Sequence, residues 1–89
     1  MFPYGTVRSV KQLGGLVRRR RKEAGVRQAD AAALAGVGVR FLSELERGKE
    51  TAEVGKVLQV LERLGLELSI APRGAGDKGG DRVTGPRDG

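Results

Sequence analysis

The 89-residue sequence contains no cysteine and no histidine. The first absence excludes a disulfide framework and a thiolate metal site; the second excludes imidazole catalysis and a histidine-ligated zinc. No metal or cofactor is expected. Only three residues are aromatic, Phe2, Tyr4 and Phe41, and they form no stacking platform of the kind single-stranded RNA requires. Every apolar run falls far short of the roughly 18 residues that a membrane helix needs. No charged start leads into an apolar block, so a secretory signal is not expected and a cytoplasmic protein is. Chemistry is scarce as well. Ser9, Ser43 and Ser69 have no histidine to activate them, a lysine base being the one formal alternative. Glu44 and Glu46 are two apart on a helix and face different directions, and no glycine-rich phosphate motif follows a strand. An enzyme is not expected.

What the chain does have is positive charge, unevenly placed. The net charge is +6 and the isoelectric point about 10.5. Residues 1–49 carry eleven Lys or Arg against four acids, whereas residues 50–71 carry two against four. Such a field suits a polyanion-binding surface. The length allows one domain, and a core this small is marginal alone, which favours oligomerisation.

The basic half holds the most informative stretch, Gln28 to Arg47, QADAAALAGVGVRFLSELER. Ala31, Ala32 and Ala35 recur at helical spacing, Gly36-Val37-Gly38 interrupts them, and Leu42 and Leu45 resume the pattern. Two helices that cross steeply need a small residue at the crossing, here Ala32. The turn between them needs a residue at ease in a left-handed conformation, here Gly36. Val37, Leu42 and Leu45 then point into a shared core. This is the pattern of a DNA-binding helix-turn-helix; an ordinary helical hairpin is the competing reading.

Around that motif the remaining elements fall into place. Residues 1–8 form an arm broken by Pro3 and Gly5. Ser9 with Gln12 reads as a capping box, so a first helix starts at Val10 and stops at Gly25. Its apolar positions are Val10, Leu13, Val17 and Ala24, with Leu16 adjoining. The Gly14-Gly15 pair, which weakens a helix, suits close approach of another backbone. The run Arg18-Arg19-Arg20-Arg21-Lys22 wraps most of the way round that helix, so one member must lean inward. Arg21, four residues after Val17, is the choice, and a buried arginine needs an acid partner, for which Glu46 is suited. Val26 tucks in before the second helix, Gln28 to Ala35. A third helix runs from Val39 to Arg47 and stops at Gly48. Thr51 is the expected cap of a fourth, Ala52 to Leu64, with Val54, Val57, Leu58, Leu61 and Leu64 as its buried stripe and Gly65 as its stop.

Leu66-Glu67-Leu68-Ser69-Ile70-Ala71 alternates apolar and polar residues and reads as a strand. It needs a partner for its backbone groups. Either the N-terminal arm pairs with it, or the same strand of a second subunit does, which is favoured because helix-turn-helix proteins read symmetric half-sites as dimers; a helix extension or a loose tail is the competing reading. Residues 72–89 contain six glycines and two prolines, and Val83 as the only sizeable apolar side chain. Disorder is expected there.

The stretch LGGLVRRRRKEAGVRQADAAALAGVGVRFLSELERGK, Leu13 to Lys49, resembles the Cro-type phage-repressor class of helix-turn-helix domains, the Xre family. With the continuation EVGKVLQVLERLG and the strand LELSIA, the similarity extends over Ser9 to Ala71 and looks like the HipB-type antitoxins. The resemblance implies a mainly α fold: a four-to-five-helix, lambda-repressor-like bundle with one C-terminal β-strand (66–71) paired between the subunits of a homodimer. It implies repression of the chain's own operon at a palindromic double-stranded DNA site, and inhibition of a HipA-type serine/threonine kinase toxin. It places the phosphate clamp on Gln28 with Arg27, Arg47 and Lys49, and the base-reading face on Gly38, Val39, Arg40, Ser43 and Glu44. Arg21 and Glu46 match the family's buried ion pair, and Leu66, Leu68 and Ile70 belong to the dimer strand.

Two departures bear on function. The family often caps the second helix with Ser or Thr, where this chain has Arg27. Its usually polar reading positions are Gly38 and Val39 here, which cannot hydrogen-bond to a base edge. Arg40 can reach guanine O6 and N7, Ser43 is permissive, Glu44 can accept from cytosine N4 and Val39 can touch a thymine methyl. Recognition is therefore expected to lean on phosphate contacts, Arg40 and operator shape. A free-standing regulator without a toxin, or a module that mainly inhibits a partner, are the alternatives.

Overall fold

Helix α1 (Val10–Glu23) is started by its own side chains: Ser9 Oγ accepts from the Gln12 backbone N–H at 3.0 Å. The Gln12 side chain accepts in return from the N–H of Arg8. The first bond occupies a donor that a helix start leaves without an intrahelical partner; the second ties the residue before the cap to the first turn, in place of the Ser9 N–H that a full capping box would engage. Three further helices follow, α2 (Gln28–Ala35), α3 (Val39–Glu46) and α4 (Val54–Arg63). The computed structural model describes residues 5–73. Expectations for residues 1–4 of the arm and residues 74–89 of the tail lie outside the described residues.

The helices end alike. After α2, the Val37 N–H reaches the Ala32 carbonyl at 3.0 Å and the Gly36 N–H reaches that of Ala33 at 3.2 Å. Gly36 makes this turn at φ 76°, where a β-carbon would be strained. The same pair of bonds recurs after α1, α3 and α4, with Gly25, Gly48 and Gly65 in the equivalent place. Each boundary is thus set by local backbone bonding, before tertiary packing adds anything.

Packing runs α1 on α3, α3 on α2 and α2 on α4. Val17, Leu42, Leu45 and Val60 are the largest fully enclosed side chains, joined by Ala31, Ala32, Val57 and Leu61. Leu13, Val26, Val37, Phe41, Leu64 and Leu66 close the edges. At the α1–α3 crossing the backbones nearly touch: a β-carbon on Gly14 would lie 2.0 Å from the Leu45 carbonyl oxygen. On Gly15 it would meet nothing within 4 Å. Helix α4 is tied to the end of α2 by Gln59 Nε2, which donates to the Ala35 carbonyl at 3.0 Å, and by Arg63 Nε, which donates to that of Leu34 at 2.9 Å. The carbonyl of Leu64, past the end of α4, receives Arg20 Nε at 2.7 Å.

Several expectations are corrected. Helix α4 begins at Val54 with Glu53 as its cap residue and no side-chain capping bond, in place of an Ala52 start capped by Thr51. The reason is the turn that follows Gly48, in which the Ala52 N–H reaches back to the Lys49 carbonyl and the chain becomes extended at Glu53. Its buried stripe is rotated: Val57, Val60 and Leu61 are inside, while Val54 and Leu58 are exposed. Helix α3 ends at Glu46, one residue short of Arg47, and α4 at Arg63. Ala24 is exposed.

No strand forms among the described residues. Leu66 packs against the core, but Leu68 and Ile70 are 57% and 81% exposed. No backbone hydrogen bond links residues 5–8 to this segment. A single extended segment has nothing with which to form a ladder in one isolated chain.

The two adjacent glycines should answer substitution with opposite signs. Gly14→Ala should destabilise by about 1–3 kcal/mol, because the new methyl overlaps backbone that cannot swing aside. Gly15→Ala should stabilise by about 0.5–1 kcal/mol through helix propensity. Urea unfolding followed by circular dichroism gives both; equal effects at the two positions would contradict the close approach.

Candidate nucleic-acid interface

The site is assembled around one buried ion pair. Arg21 on α1 meets Glu46 at the end of α3 in two parallel bonds, Nε to Oε2 at 2.6 Å and Nη2 to Oε1 at 2.9 Å. Arg21 Nη1 also donates to the Val26 carbonyl at 2.9 Å. Gln28, the first residue of α2, donates from Nε2 to Glu46 Oε1 at 2.9 Å. One carboxylate therefore receives α1 and the start of α2 while itself belonging to α3. Burial pushes the Glu46 carboxyl upward, but the hydrogen bonds from Arg21 and Gln28, and the charges of Arg21 and Arg18, outweigh it and hold the group below the usual carboxylate range. The bond to Glu46 raises Arg21 despite its desolvation, so the guanidinium stays charged.

Around the pair opens a concavity of about 570 Å³, lined by Arg18 and Lys22 of α1, Arg27 and Gln28 at the start of α2, and Ser43 and Arg47 at the end of α3. Three residues of the expected clamp, Arg27, Gln28 and Arg47, are brought together in this lining. Lys49 is not part of this lining; it lies beside Glu44, with Nζ 3.1 Å from Oε1. Arg18 and Lys22 are additions that sequence reasoning does not single out, although they are four apart, and so share a face of α1 beside Arg21. Arg27 is the cap residue of α2 but makes no side-chain cap bond, which leaves that helix start without a capping side chain. Helix N-termini of this kind favour anions, and the flanking cations add to that field.

The expected reading face lies on α3. Gly38 is its cap residue, with open space where a β-carbon would go. Val39 is 49% exposed, and the Arg40 side chain is 87% exposed. Ser43 is half-buried. Glu44 accepts from Arg40 Nε at 3.3 Å as well as from Lys49. The hydrogen bond from Lys49 leads the influences that draw its carboxyl below the ordinary range. A second, smaller hollow of about 280 Å³ lies between the end of α1 and the end of α4, lined by Ala24, Leu34 and Leu64 with Arg20 and Arg63. The two arginines there already cap helix ends.

A helix pair joined by a glycine turn, with a basic concavity beside its second helix, defines a class. Residues 12–69 match the model of the helix-turn-helix domain family. The chain belongs to the helix-turn-helix transcriptional regulators, a DNA-binding family and not a family of enzymes. It is 48% identical over 68 residues to an uncharacterised HTH-type transcriptional regulator, y4mF, of Sinorhizobium fredii (strain NBRC 101917 / NGR234), covering 76% of this chain and 90% of that protein. Its fold is similar to that of a HipB–O4 20mer complex, with TM-score 0.72, 18% identity, and coverage of 79% of this chain and 99% of that one. A chain of a HipA–HipB–O2–O3 complex gives the same values. No helix among the described residues is long and apolar enough to cross a membrane.

Removing one side of the buried pair leaves the other uncompensated. Glu46→Ala should cost about 3–5 kcal/mol, and Arg21→Met with Glu46→Met together should cost less than Glu46→Ala alone. The pH dependence has a fixed sign. With the folded-state value of Glu46 depressed, its contribution is fully present above about pH 4.3, the ordinary glutamate value. It is lost as pH falls from there through the folded-state value. Thermal unfolding of wild type against the double variant, between neutral pH and pH 3, should show the larger acid loss in wild type.

Proposed function

We propose that this protein is a dimeric, sequence-specific repressor of its own operon and the antitoxin of a HipA-like serine/threonine kinase. In this reading α3 of each subunit enters the major groove, two half-sites lie about 34 Å apart on a palindromic operator, and occupancy excludes polymerase. Arg27, Gln28, Arg47 and Lys49 hold phosphate, joined by Arg18 and Lys22. Gly38, Val39, Arg40, Ser43 and Glu44 face the bases. The observation that carries the DNA part is the co-location of four cations, Arg18, Lys22, Arg27 and Arg47, in one hollow beside α3. Gln28 keeps its side chain on Glu46, so its contribution to phosphate falls to the backbone at the start of α2.

Dimerisation is supported by what the single chain leaves uncovered: Val54 and Leu58 on α4, then Leu68 and Ile70 beyond it. Strand pairing of residues 66–71 across a two-fold axis supplies the missing ladder partners and covers apolar surface. The organisation that follows is an arm (1–8), a DNA-binding and dimerising domain (9–71) and a tail (72–89). The kinase partnership is supported by the likeness of the fold to HipB, which assembles with HipA in one of the similar structures.

Two outcomes are expected. Ile70→Asp with Leu68→Asp should convert a dimer into a monomer in sedimentation equilibrium at tens of micromolar while leaving the helical signal intact; a monomeric wild type would sink the strand-pairing mechanism. In electrophoretic shift with the chain's own upstream DNA, Arg18→Ala or Arg47→Ala should weaken all duplexes alike and reduce the salt slope by about 1 for each phosphate left without its cation. The antitoxin role is tested beside these by adding the protein to the product of the adjacent gene. A kinase there whose activity falls supports it; a neighbour that is no kinase removes it.

A further inference from the structure

A carboxylate is an unexpected group to find on a helix face that meets a polyanion. Glu44 stands one turn after Arg40 on α3, its side chain 23% exposed. Its two oxygens are divided between two cations, Oε2 accepting from Arg40 Nε at 3.3 Å and Oε1 from Lys49 Nζ at 3.1 Å. Arg40 extends into solvent, 87% exposed, and this is its only ion pair among the described residues. An arginine bound through Nε keeps both terminal nitrogens for another acceptor. That fork is the part that fits guanine O6 and N7.

We propose that Glu44 is a positioning residue for sequence reading: it aims the free fork of Arg40 at a guanine, and its charge moderates the hold of Arg40 and Lys49 on phosphate of any sequence. The proposal rests on the reading above, that α3 enters the major groove. It gives Glu44 a role different from direct acceptance of a cytosine N4 hydrogen bond. An acid at this place weakens binding to every duplex by repulsion, so its presence is explained by what it adds to discrimination. The neighbouring positions make the aim of Arg40 matter more. Gly38 has no side chain, and Val39 has no polar atom to share the task.

The experiment measures binding of wild type, Arg40→Ala, Glu44→Ala, Glu44→Gln and Arg40→Ala/Glu44→Ala by fluorescence anisotropy. The duplexes are the chain's own upstream DNA, a set with each half-site position changed in turn, and one unrelated sequence. Arg40→Ala should erase a preference of about 5- to 150-fold at one guanine. Glu44→Ala should lose most of the preference at that same position, bind the unrelated duplex several-fold more tightly and show a steeper salt slope. Glu44→Gln should fall between wild type and Glu44→Ala, and the double variant should discriminate no worse than Arg40→Ala. Loss of preference at a different base pair in Glu44→Ala, adding to that of Arg40→Ala, would show a direct reader and overturn the positioning role. So would a Glu44→Ala protein with unaltered discrimination. A wild type that binds all duplexes alike would instead overturn the DNA-reading function, and the role of Glu44 with it.

Discussion

The contact between Arg21 and Glu46 is what the rest of the domain depends on. Helices α2 and α3 have eight residues each, too short to persist in water alone. Their placement must come from packing and from directional bonds. Leu42, Leu45 and Val17 supply the packing, which is strong but tolerates sliding. The two parallel bonds from Arg21 to Glu46 do not, since a guanidinium and a carboxylate meet in one plane and one register. Gln28 adds the start of α2 to the same carboxylate. Gly14 makes the arrangement possible by letting α1 come down on the carbonyl of Leu45. A bulkier residue there would lift α1 from α3, with the ion pair directly beside the crossing.

That pair also organises the surface charge. With Arg21 neutralised by Glu46, the cations lining the hollow are Arg18, Lys22, Arg27 and Arg47. Three separate elements contribute them, and they converge because their helices are held by the same buried contact. Stability and the binding field are therefore coupled: loosening the pair would scatter the cations as well as weaken the core. The other acid of α3, Glu44, does the opposite job at the surface by joining the two cations of its own face.

Much of this is legible in the amino-acid order alone, and the parts that are not share a cause. Glycine stops and the Ser9 cap are local events, so helix limits near Gly25, Gly36, Gly48 and Gly65 follow from single residues. Fold and family are legible for the same reason, because the spacing from Arg21 through Gln28 to Glu46 is itself a packing requirement. The rotation of α4 is not legible. Val54, Val57, Leu58 and Leu61 make one helical stripe, and Val57, Val60, Leu61 and Leu64 make another of equal quality; only the surface offered by α2 selects the second. The start of that helix is misread because Thr51 is a good cap in the abstract, while the turn after Gly48 holds the chain in a form that delays the helix. On the site, Arg18 and Lys22 are hidden within a run of five basic residues in which spacing alone can single out only Arg21. The tie of Lys49 to Glu44 spans a helix end and has no periodic signature at all.

Gly38 carries a consequence of a different kind. It opens α3 with φ −75° and ψ 152°, a backbone that any residue adopts, and nothing stands where its side chain would be. Unlike Gly36, it is not a requirement of the turn. The cap position of α3 is thus a vacancy, imposed by neither strain nor crowding. Descendants of this sequence, or a designer, can write a polar residue there without renegotiating the scaffold beneath it.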